Sequence, residues 1–358
     1  MKKSKRFTID ERVLKWTKRH KKYNLMYTSI ILIIAVVLLI FAMKAQKITP
    51  VEVMAKPNNE LRMTYLGNIN MNDHIRKNNL NDTFGAVKDI LKGSDYSTTS
   101  LHLSQFSDDQ KVNMQENIDN IMYLKSLNMK SVNLINETLD NVQARDLQRA
   151  VEAQTGYNFL TGNGSNPINS KTVQQDIKGK KVANVSFTDI ESDYSDTLKN
   201  TTSISLEPSI FIPLIKKLKE QNDYVVVNVD WGIPDERHVT TRQQKYAHAL
   251  ADAGADVIIG HNPVVQEIEK YKNTDIFYSL GNVTSENFLS KNQQGLAVQQ
   301  NWNGKTSDFK LTPLRSKAGK VSKANPNKVE EKKLLNTLES DTINLKKEKG
   351  GYHYEPKK

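Results

Sequence analysis

The stretch that indicates the fold most clearly is residues 224–282, YVVVNVDWGIPDERHVTTRQQKYAHALADAGADVIIGHNPVVQEIEKYKNTDIFYSLGN. It opens with an apolar, β-branched run that predicts a buried strand over 224–229. The segment RQQKYAHALADAG then places apolar residues three and four positions apart and ends on Gly254, so it predicts a helix over 241–253. Two further apolar runs predict strands over 256–260 and 276–280. This order of elements is typical of an α/β fold.

The same alternation extends towards the N-terminus. Further strands are predicted at 63–66, 131–136 and 181–187, and helices at 83–92, 110–127, 142–154 and 208–221. Val, Ile and Tyr dominate most of the strand segments. Because strands alternate with helices, we expect an α/β fold whose strands are largely buried on both faces.

Composition and charge narrow the classes of function. The chain has 358 residues, 37% hydrophobic and 25% charged, and no cysteine, which excludes a disulfide framework, a thiol nucleophile and thiolate metal ligands. The net charge of +11 is concentrated at the ends: residues 1–22 carry +8, residues 23–56 carry +2 and residues 316–358 carry +5, which leaves −4 for residues 57–315. A slightly acidic central region argues against nucleic acid as a partner.

An uncharged apolar run, LMYTSIILIIAVVLLIFAM, extends from Leu25 to Met43. Its length suits a helix that crosses a hydrocarbon core of about 30 Å, so we predict one transmembrane helix over 23–44. Because Lys and Arg are concentrated before the run, the N-terminus is predicted to be cytoplasmic and the C-terminal domain extracellular. A cleaved signal peptide is the alternative, but the run exceeds the usual apolar region and no Ala-x-Ala site directly follows it.

The remaining segments complete the predicted organisation. Residues 1–22 form a basic cytoplasmic segment, residues 45–60 a stalk, and residues 61–315 the extracellular α/β domain. Residues 316–358 are rich in Lys, Asn and Glu, and we expect one helix around 329–345 followed by disordered residues. This tail is interpreted as a solvated appendage, with contact to an anionic polymer or to lipid headgroups as the alternative.

Polar residues follow four of the predicted strands. They are Gly67-Asn68, Asn136-Glu137, Asp230-Trp231-Gly232 and Gly260-His261-Asn262-Pro263. Ligands of open α/β proteins gather beyond the carboxyl ends of strands, so the candidate cleft is formed by Asn68, Asn136, Glu137, Asp230 and His261. A lone His after an apolar strand is more often a hydrogen-bonded structural residue than a ligand, and both interpretations stay open here.

Residues 224–282 closely resemble the CapA (PgsA) family of poly-γ-glutamate synthesis proteins. The family's motifs include His-Trp-Gly, a downstream Gln, Ala-Gly-Ala-Asp before Gly-His-His-Pro-His, and Tyr-Ser-Leu-Gly-Asn. The residues that match them are Trp231, Gly232, Gln243, 253–261 with Gly260, Pro263, and 278–282 with Gly281 and Asn282. Weaker similarity extends the resemblance to roughly 60–315. It implies a metallophosphatase-like layered sandwich of β-sheets flanked by helices, here preceded by one transmembrane helix.

Several metal-binding positions of that family pattern are changed in this chain. Asn68 stands at the position of an Asp, and Glu137, Asp230, Asn262 and Val264 stand at positions of His, whereas His261 is kept. A two-metal hydrolase holds its ions about 3.5–4 Å apart, usually with a bridging carboxylate, and a neutral amide bridges cations poorly. Glu137, Asp230 and His261 are therefore candidate ligands for a single divalent cation, Mg²⁺, Ca²⁺ or Mn²⁺. The sequence contains neither a phosphate-binding loop nor a Gly-x-Ser-x-Gly elbow.

These observations favour a membrane-anchored, non-catalytic subunit of the poly-γ-glutamate capsule machinery, which guides or exports polymer or braces the synthase complex. The resemblance implies four partners: a polyglutamate ligase, small membrane subunits, the polymer chain and membrane lipids. The alternative is a metal-dependent hydrolase or transferase acting on the polymer or on a phosphoester, with Asp230 or Glu137 as ligand or base and His261 as ligand or general acid. A third hypothesis, an anchored adhesin or scaffold, leaves residues 224–282 unexplained.

Overall fold

The computed structural model divides the chain into two compact units, Met1–Ile48 and Thr49–Lys358. The residues it describes are 8–45, 60–71, 80–103, 110–134, 146–147, 149–153, 160–161, 172–189, 204–285, 287, 289–324 and 327–357. Most of the predicted stalk therefore lies outside the described residues.

The first unit contains two helices joined by a single 3-10 turn. Helix α1 spans Ile9–His20, the turn spans Lys21–Tyr23, and helix α2 spans Asn24–Ala45. The predicted transmembrane run lies within α2. Counting only the residues that are described in full, no helix is long and apolar enough to cross a membrane. The transmembrane span stays a prediction.

The second unit holds the remaining elements. Its strands are β1 Leu61–Met71, β2 Tyr96–Leu103, β3 Ser131–Asn133, β4 Leu160–Thr161, β5 Val173–Ile177, β6 Lys180–Thr188, β7 Tyr224–Asp230, β8 Val257–His261, β9 Ile268–Tyr271, β10 Thr274–Phe277, β11 Gln294–Trp302, β12 Ser307–Lys317, β13 Lys320–Lys323, β14 Ile343–Glu348 and β15 Gly351–Pro356. Its helices are α3 Leu80–Thr83, α4 Gly85–Leu91, α5 Gln110–Ser126, α6 Pro208–Gln221, α7 Thr241–Ala253 and α8 Lys328–Leu338.

Two β-sheets form the centre of this unit. The first has the strand order β14-β15-β12-β11-β1-β2-β3-β4, with β13 paired to β12, and the second has the order β5-β6-β7-β8-β10-β9. Strands β1 to β4 run parallel to one another, as do β6, β7, β8 and β10. Antiparallel strands extend each sheet at its sides. The predicted α/β fold is confirmed, with two mixed sheets.

The hydrophobic core lies in three layers. One cluster, which includes Tyr65 and Phe277, joins the facing sides of the two sheets. Another, with Leu124, packs α4 and α5 onto the first sheet. The third, with Phe211 and Leu250, packs α6 and α7 onto the second sheet. Because both faces of each sheet are covered, the central strands read as continuous apolar runs rather than as alternating ones.

Helices α6 and α7 have the bounds that the sequence predicts. Pro208 begins α6, where a residue without an N–H group is tolerated. A capping box between Thr240 and Gln243 begins α7, and Gly254 ends it in the left-handed region at φ 117°. These are local signals, so they are readable without knowledge of the tertiary fold.

The prediction of disorder after the tail helix is wrong. Helix α8 ends at Leu338, and the chain continues as the hairpin β14–β15, whose second strand pairs with β12 through Leu311 and Tyr352. The buried Ile343, Tyr352 and Tyr354 belong to the cluster between the sheets. Spaced among Lys and Glu, these few apolar residues gave too weak a pattern in the sequence, yet their burial is what orders the hairpin.

Candidate functional site

Three of the predicted site residues come from strands of both sheets. Asn68 lies in β1 of the first sheet, whereas Asp230 and His261 end β7 and β8 of the second sheet and are register partners there. The imidazole of His261 contacts the side chain of Asn68 directly, so these two candidate residues meet although they come from different sheets. Asn136 and Glu137 lie outside the described residues.

Asn68 is placed by an irregularity in β1. The strand continues to Met71 rather than ending at residue 66, and its pairing with β2 shifts register between Tyr65 and Asn68. The Asn68 N–H donates to the carbonyl of Gly281 at 2.8 Å, and its own carbonyl accepts from Val283 N–H at 2.8 Å. A Cβ on Gly67 would lie 2.2 Å from that Gly281 carbonyl. Glycine at position 67 therefore allows the segment around 281 to cross β1 closely.

His261 is a neutral, fully enclosed imidazole. It is 1% exposed, and its Nδ1 lies 3.1 Å from Asn68 Oδ1 while its Nε2 lies 3.0 Å from Asn228 Oδ1. Burial, with a smaller contribution from the neighbouring His102, lowers the pKa of His261 to about 3. Charging the ring in this setting is costly because burial removes the water that would hydrate the charged form.

A neutral imidazole has one N–H and one lone pair, so it cannot donate to both amide oxygens. The direction of the hydrogen bonds in this network is set at its Asn282 end. There, Asn282 Nδ2 donates to the backbone carbonyl of Asn292 at 3.0 Å. Asn282 Oδ1 then accepts from Asn68 Nδ2 at 3.3 Å, which leaves Asn68 Oδ1 to accept from Nδ1–H of His261. The lone pair of a neutral ring is therefore on Nε2, which lies next to Asn228 Oδ1. A hydrogen bond there requires the opposite amide orientation of Asn228, with Nδ2 towards the ring.

The network continues through Asn184 into the core. The amides of Asn228 and Asn184 are 2.7 Å apart, and the far end of Asn184 lies 2.7 Å from the hydroxyls of both Tyr96 and Ser131. A hydroxyl can donate or accept, so these groups satisfy either orientation of the amides. Five side chains, Asn282, Asn68, His261, Asn228 and Asn184, thus form one continuous chain of hydrogen bonds.

Asn184 and Asn228 are functional-site neighbours that sequence reasoning missed. Both sit in otherwise apolar buried strands, KVANV and VVVNV. A polar residue inside such a run requires a hydrogen-bond partner, and this was the available signal. Their partners could not be read from the sequence because they lie on other strands.

Asp230 and Asn262 border this network. Asp230 is 4% exposed, and its backbone carbonyl accepts from Asp189 N–H at 2.9 Å. Asn262 donates to the carbonyls of Trp231 and Ile233 at 3.3 and 3.0 Å, so its side chain fixes the loop after β7. Asn262 therefore has a structural role in this chain.

Three of the residues that match the family motifs, Trp231, Gln243 and Gly260, hold the loop after β7 in place. Trp231 Nε1 donates to the Tyr278 carbonyl at 2.9 Å and its ring stacks on Tyr278, while a Cβ on Gly260 would lie 1.9 Å from the same carbonyl. Gln243 Nε2 donates to Gln266 Oε1 at 2.9 Å. These three motif-matching residues therefore stabilise the packing at the strand ends.

Gly232, Gly281 and Pro263 shape the backbone of the same region. Gly232 and Gly281 have φ of 84° and 63°, values that a side chain makes costly. Pro263 follows Asn262, whose carbonyl accepts from Ser279 Oγ at 3.1 Å. Together with Asn282 in the network, they connect the loops that follow β8 and β10.

The described residues do not by themselves form a metal site. In the part of the chain that the structure describes, no group of three or more His, Asp or Glu residues could hold a metal ion. A histidine ligand must offer a ring lone pair, and both nitrogens of His261 contact amides. A cation at His261 must first displace one of those amides. The predicted single-cation site stays a prediction, because Glu137 lies outside the described residues.

Comparison with known proteins identifies the family. The model of the family described as bacterial capsule synthesis protein PGA_cap matches residues 62–287, more than half of the chain. The chain belongs to this family. The resemblance read from residues 224–282 is thereby confirmed, and the matched range includes Asn68, Asp230 and His261.

Two relatives from this capsule synthesis family are similar over most of their length. The "PGA biosynthesis protein CapA" of Bacillus subtilis (strain 168) is 27% identical over 355 residues, which cover 94% of this chain and 93% of the relative. The "Capsule biosynthesis protein CapA" of Bacillus anthracis is 29% identical over 339 residues, which cover 88% and 82%.

Similarity to solved structures is weaker. The protein TT1561 of Thermus thermophilus aligns with 67% of this chain and 98% of its own, at a TM-score of 0.42 and 8% sequence identity. A similarity of this size supports no conclusion about ligands or activity.

Proposed function

We propose that this protein is a membrane-anchored, non-catalytic subunit of the machinery that makes or exports poly-γ-glutamate capsule. Family membership and the names of the two relatives support the connection to capsule and PGA biosynthesis. Its partners are a polyglutamate ligase, small membrane subunits, the polymer chain and membrane lipids. The domain, with the metallophosphatase-like fold that the family resemblance implies, guides or exports the polymer or braces the synthase complex.

The observation that carries the non-catalytic assignment is the state of His261. It is the one histidine kept from the family's metal-binding pattern, and it is neutral, buried and bonded at both nitrogens to amides. A ring with a pKa of about 3 is a poor general acid or base near neutral pH, because such groups work best with a pKa near the operating pH. Burial keeps the ring neutral, and Asn68, at the position of the pattern's Asp, offers no negative charge to oppose this.

The membrane arrangement rests on the charge and hydropathy of the first unit. Residues 1–22 carry a net charge of +8 and precede the uncharged run Leu25–Met43. The positive-inside rule then gives a cytoplasmic N-terminus and an extracellular C-terminal domain. Such an anchor keeps the domain at the membrane face where an exported polymer emerges.

Contact with the polymer is local in this proposal. Residues 57–315 carry −4 and residues 316–358, which fold with them, carry +5, so the folded domain is close to neutral and has no strong overall attraction for a polyanion beyond about a Debye length, roughly 8 Å at physiological salt. The basic residues of the C-terminal part of the domain, 316–358, which carries +5, are the cations that could contact the polymer locally. Backbone and side-chain amides supply further neutral contacts.

The test is surface polymer in cells whose only copy carries Asp230→Asn. This change is nearly isosteric and removes the carboxylate paired in register with His261, so we expect polymer at the wild-type level. Gly260→Ala is the control for loss of the folded domain, since its Cβ would meet the Tyr278 carbonyl at 1.9 Å. Loss of polymer in Asp230→Asn cells, with the protein at its normal membrane level, contradicts the non-catalytic assignment.

A metal-dependent hydrolase or transferase is the second candidate, favoured by one observation. Asp230 and His261 are buried register partners at the same strand ends, as ligands of one cation would be. Its test is the divalent metal content of the purified full-length protein. Near-stoichiometric Mg²⁺, Ca²⁺ or Mn²⁺ that is lost in Asp230→Asn supports this candidate; a metal-free wild-type protein rejects it.

A further inference from the structure

Helix α1 presents an apolar stripe to its surroundings. Ile9, Val13 and Trp16 follow a spacing of four and three residues and so share one face of the helix. Their exposed fractions are 80%, 56% and 61%. A soluble surface rarely leaves a continuous row of this kind uncovered, so the stripe calls for a partner.

Basic residues flank and oppose this stripe. At about 100° per residue, Arg12 and Arg19 lie beside it and Lys15 lies across the helix from Val13. The acidic Glu11 is engaged in the capping box at the first turn, where its carboxylate accepts from Thr8 N–H at 2.9 Å. Negative charge is thus confined to the start of α1, and positive charge increases towards the end that leads to α2.

The chain connects this helix closely to the apolar helix α2. The 3-10 turn Lys21–Tyr23 separates them and adds two more lysines. A helix joined so directly to a transmembrane span remains within reach of the bilayer surface. The anionic cytoplasmic leaflet attracts juxtamembrane basic residues, and the attraction falls off within a Debye length.

We propose that α1 lies in the plane of the cytoplasmic membrane surface and binds anionic lipid, with Ile9, Val13 and Trp16 at the boundary of the acyl chains. Arg12 and Arg19, which lie beside the stripe, extend towards the phosphate groups, whereas Lys15 faces the water. This combination of an apolar stripe with an aromatic residue and a mainly basic remainder, in which Leu14 is the one other exposed apolar side chain of α1, is typical of an interfacial helix. The proposal rests on the membrane anchor of the proposed function and assigns α1 a lipid ligand in addition.

The natural chain has no cysteine, so one introduced cysteine gives one labelling site. The full-length variants Val13→Cys and Lys15→Cys are labelled with an environment-sensitive fluorophore. They are reconstituted into lipid nanodiscs of phosphatidylcholine, with or without phosphatidylglycerol. The two positions lie on opposite faces of the same turn, so Lys15→Cys is the matched control. Accessibility to aqueous iodide and the emission maximum are measured at low and high salt.

In anionic discs we expect iodide quenching at position 13 to be at least about threefold weaker than at position 15, with blue-shifted emission. The difference should shrink in phosphatidylcholine alone and at high salt. Equal quenching at both positions in anionic discs overturns the proposal. Shielding that appears only after the capsule ligase subunits are added also overturns it, in favour of a protein partner.

Failure of the anchor is recognised separately. Protein that washes off membranes at alkaline pH overturns the transmembrane anchor and this proposal together. Protein that stays inserted while position 13 remains as accessible as position 15 overturns the lipid contact alone, and leaves the anchor intact.

Discussion

At the scale of single residues, His261 is kept neutral by burial, and the neighbouring Asn68 is the position at which this could be changed. The amide at 3.1 Å from Nδ1 accepts one hydrogen bond but offers no negative charge to a protonated ring. Asn68→Asp changes this with almost no change in shape, because a carboxylate next to an imidazole favours the charged form. The substitution therefore tests whether the neutrality of the site follows from this one residue.

The prediction concerns stability as a function of pH. The folded-state pKa of His261 is about 3, below the ordinary value near 6.5, so the unfolded chain binds more protons between these values and stability falls as pH falls. This ring should cost about 2 kcal/mol of unfolding free energy between pH 7 and pH 5. His102, whose pKa burial lowers to about 4, adds to the same trend. In Asn68→Asp the contribution of His261 should shrink, and its imidazole signals in NMR should titrate at higher pH.

Asn303→Asp is the matched control, because it adds the same charge at an exposed turn. Its unfolding free energy should follow the wild-type pH dependence. The idea that the amide at position 68 helps to keep His261 neutral is contradicted by one result. That result is an unfolding free energy of Asn68→Asp with the wild-type pH dependence, with His261 still titrating near pH 3.

At the scale of elements, the C-terminal hairpin joins the two sheets. Tyr354 of β15 donates to Asp275 Oδ1 of β10 at 2.6 Å, and Lys270 Nζ lies 2.9 Å from the same carboxylate. Asp275 is 3% exposed, and burial raises its pKa despite these two partners. A buried carboxylate that loses a hydrogen bond is costly, which makes the hairpin part of the stability of the core.

Tyr354→Phe should lower the unfolding free energy by about 2 kcal/mol, since the lost bond is made to a charged acceptor. In an Asp275→Asn background the same change should cost less than about 1 kcal/mol, which gives a coupling energy between the two sites. Denaturant unfolding of the four full-length proteins in the same detergent measures it. Equal costs in both backgrounds would show that the hairpin is held by apolar packing alone.

The elements also show what the sequence could and could not predict. Helices α6 and α7 were predicted to the residue because caps and apolar spacing are local signals. Strand β2, with the sequence YSTTSLHL, was missed because Ser97 and Thr99 are buried as hydrogen-bond donors, to the carbonyls of Asn128 and Gly67. Such partners come from distant segments, so neither alternation nor propensity reveals them.

As with the helices and strands, part of the candidate site could be predicted from the sequence and part could not. Asn68, Asp230 and His261 were expected at neighbouring strand ends of one sheet, whereas Asn68 lies within β1 of the first sheet and the other two residues end strands of the second sheet. The state of His261 was not predictable, since it depends on Asn228, whose amide reaches the ring from the neighbouring strand. A list of candidate ligands in sequence order cannot show which of them already bond to one another.

At the scale of the whole molecule, the second unit contains its own core. Among the residues that the structure describes, the members of the three hydrophobic clusters run from Leu61 to Tyr354, so we expect this unit to fold on its own core. A protease site placed in the predicted stalk, after Lys56, therefore provides a test. Cutting the full-length protein in detergent should leave the melting temperature of the domain unchanged within about 3 °C.

Protein incubated with inactive protease is the control, and calorimetry of both samples gives the comparison. A fall in the melting temperature of more than about 3 °C shows that the first unit stabilises the second. If the melting temperature is unchanged, we expect a secreted form that begins after Lys56 to fold normally. Loss of capsule in cells that make only this secreted form then cannot be attributed to misfolding. The loss then measures the requirement for the anchor itself, and persistence of capsule in those cells removes the anchor from the proposed function.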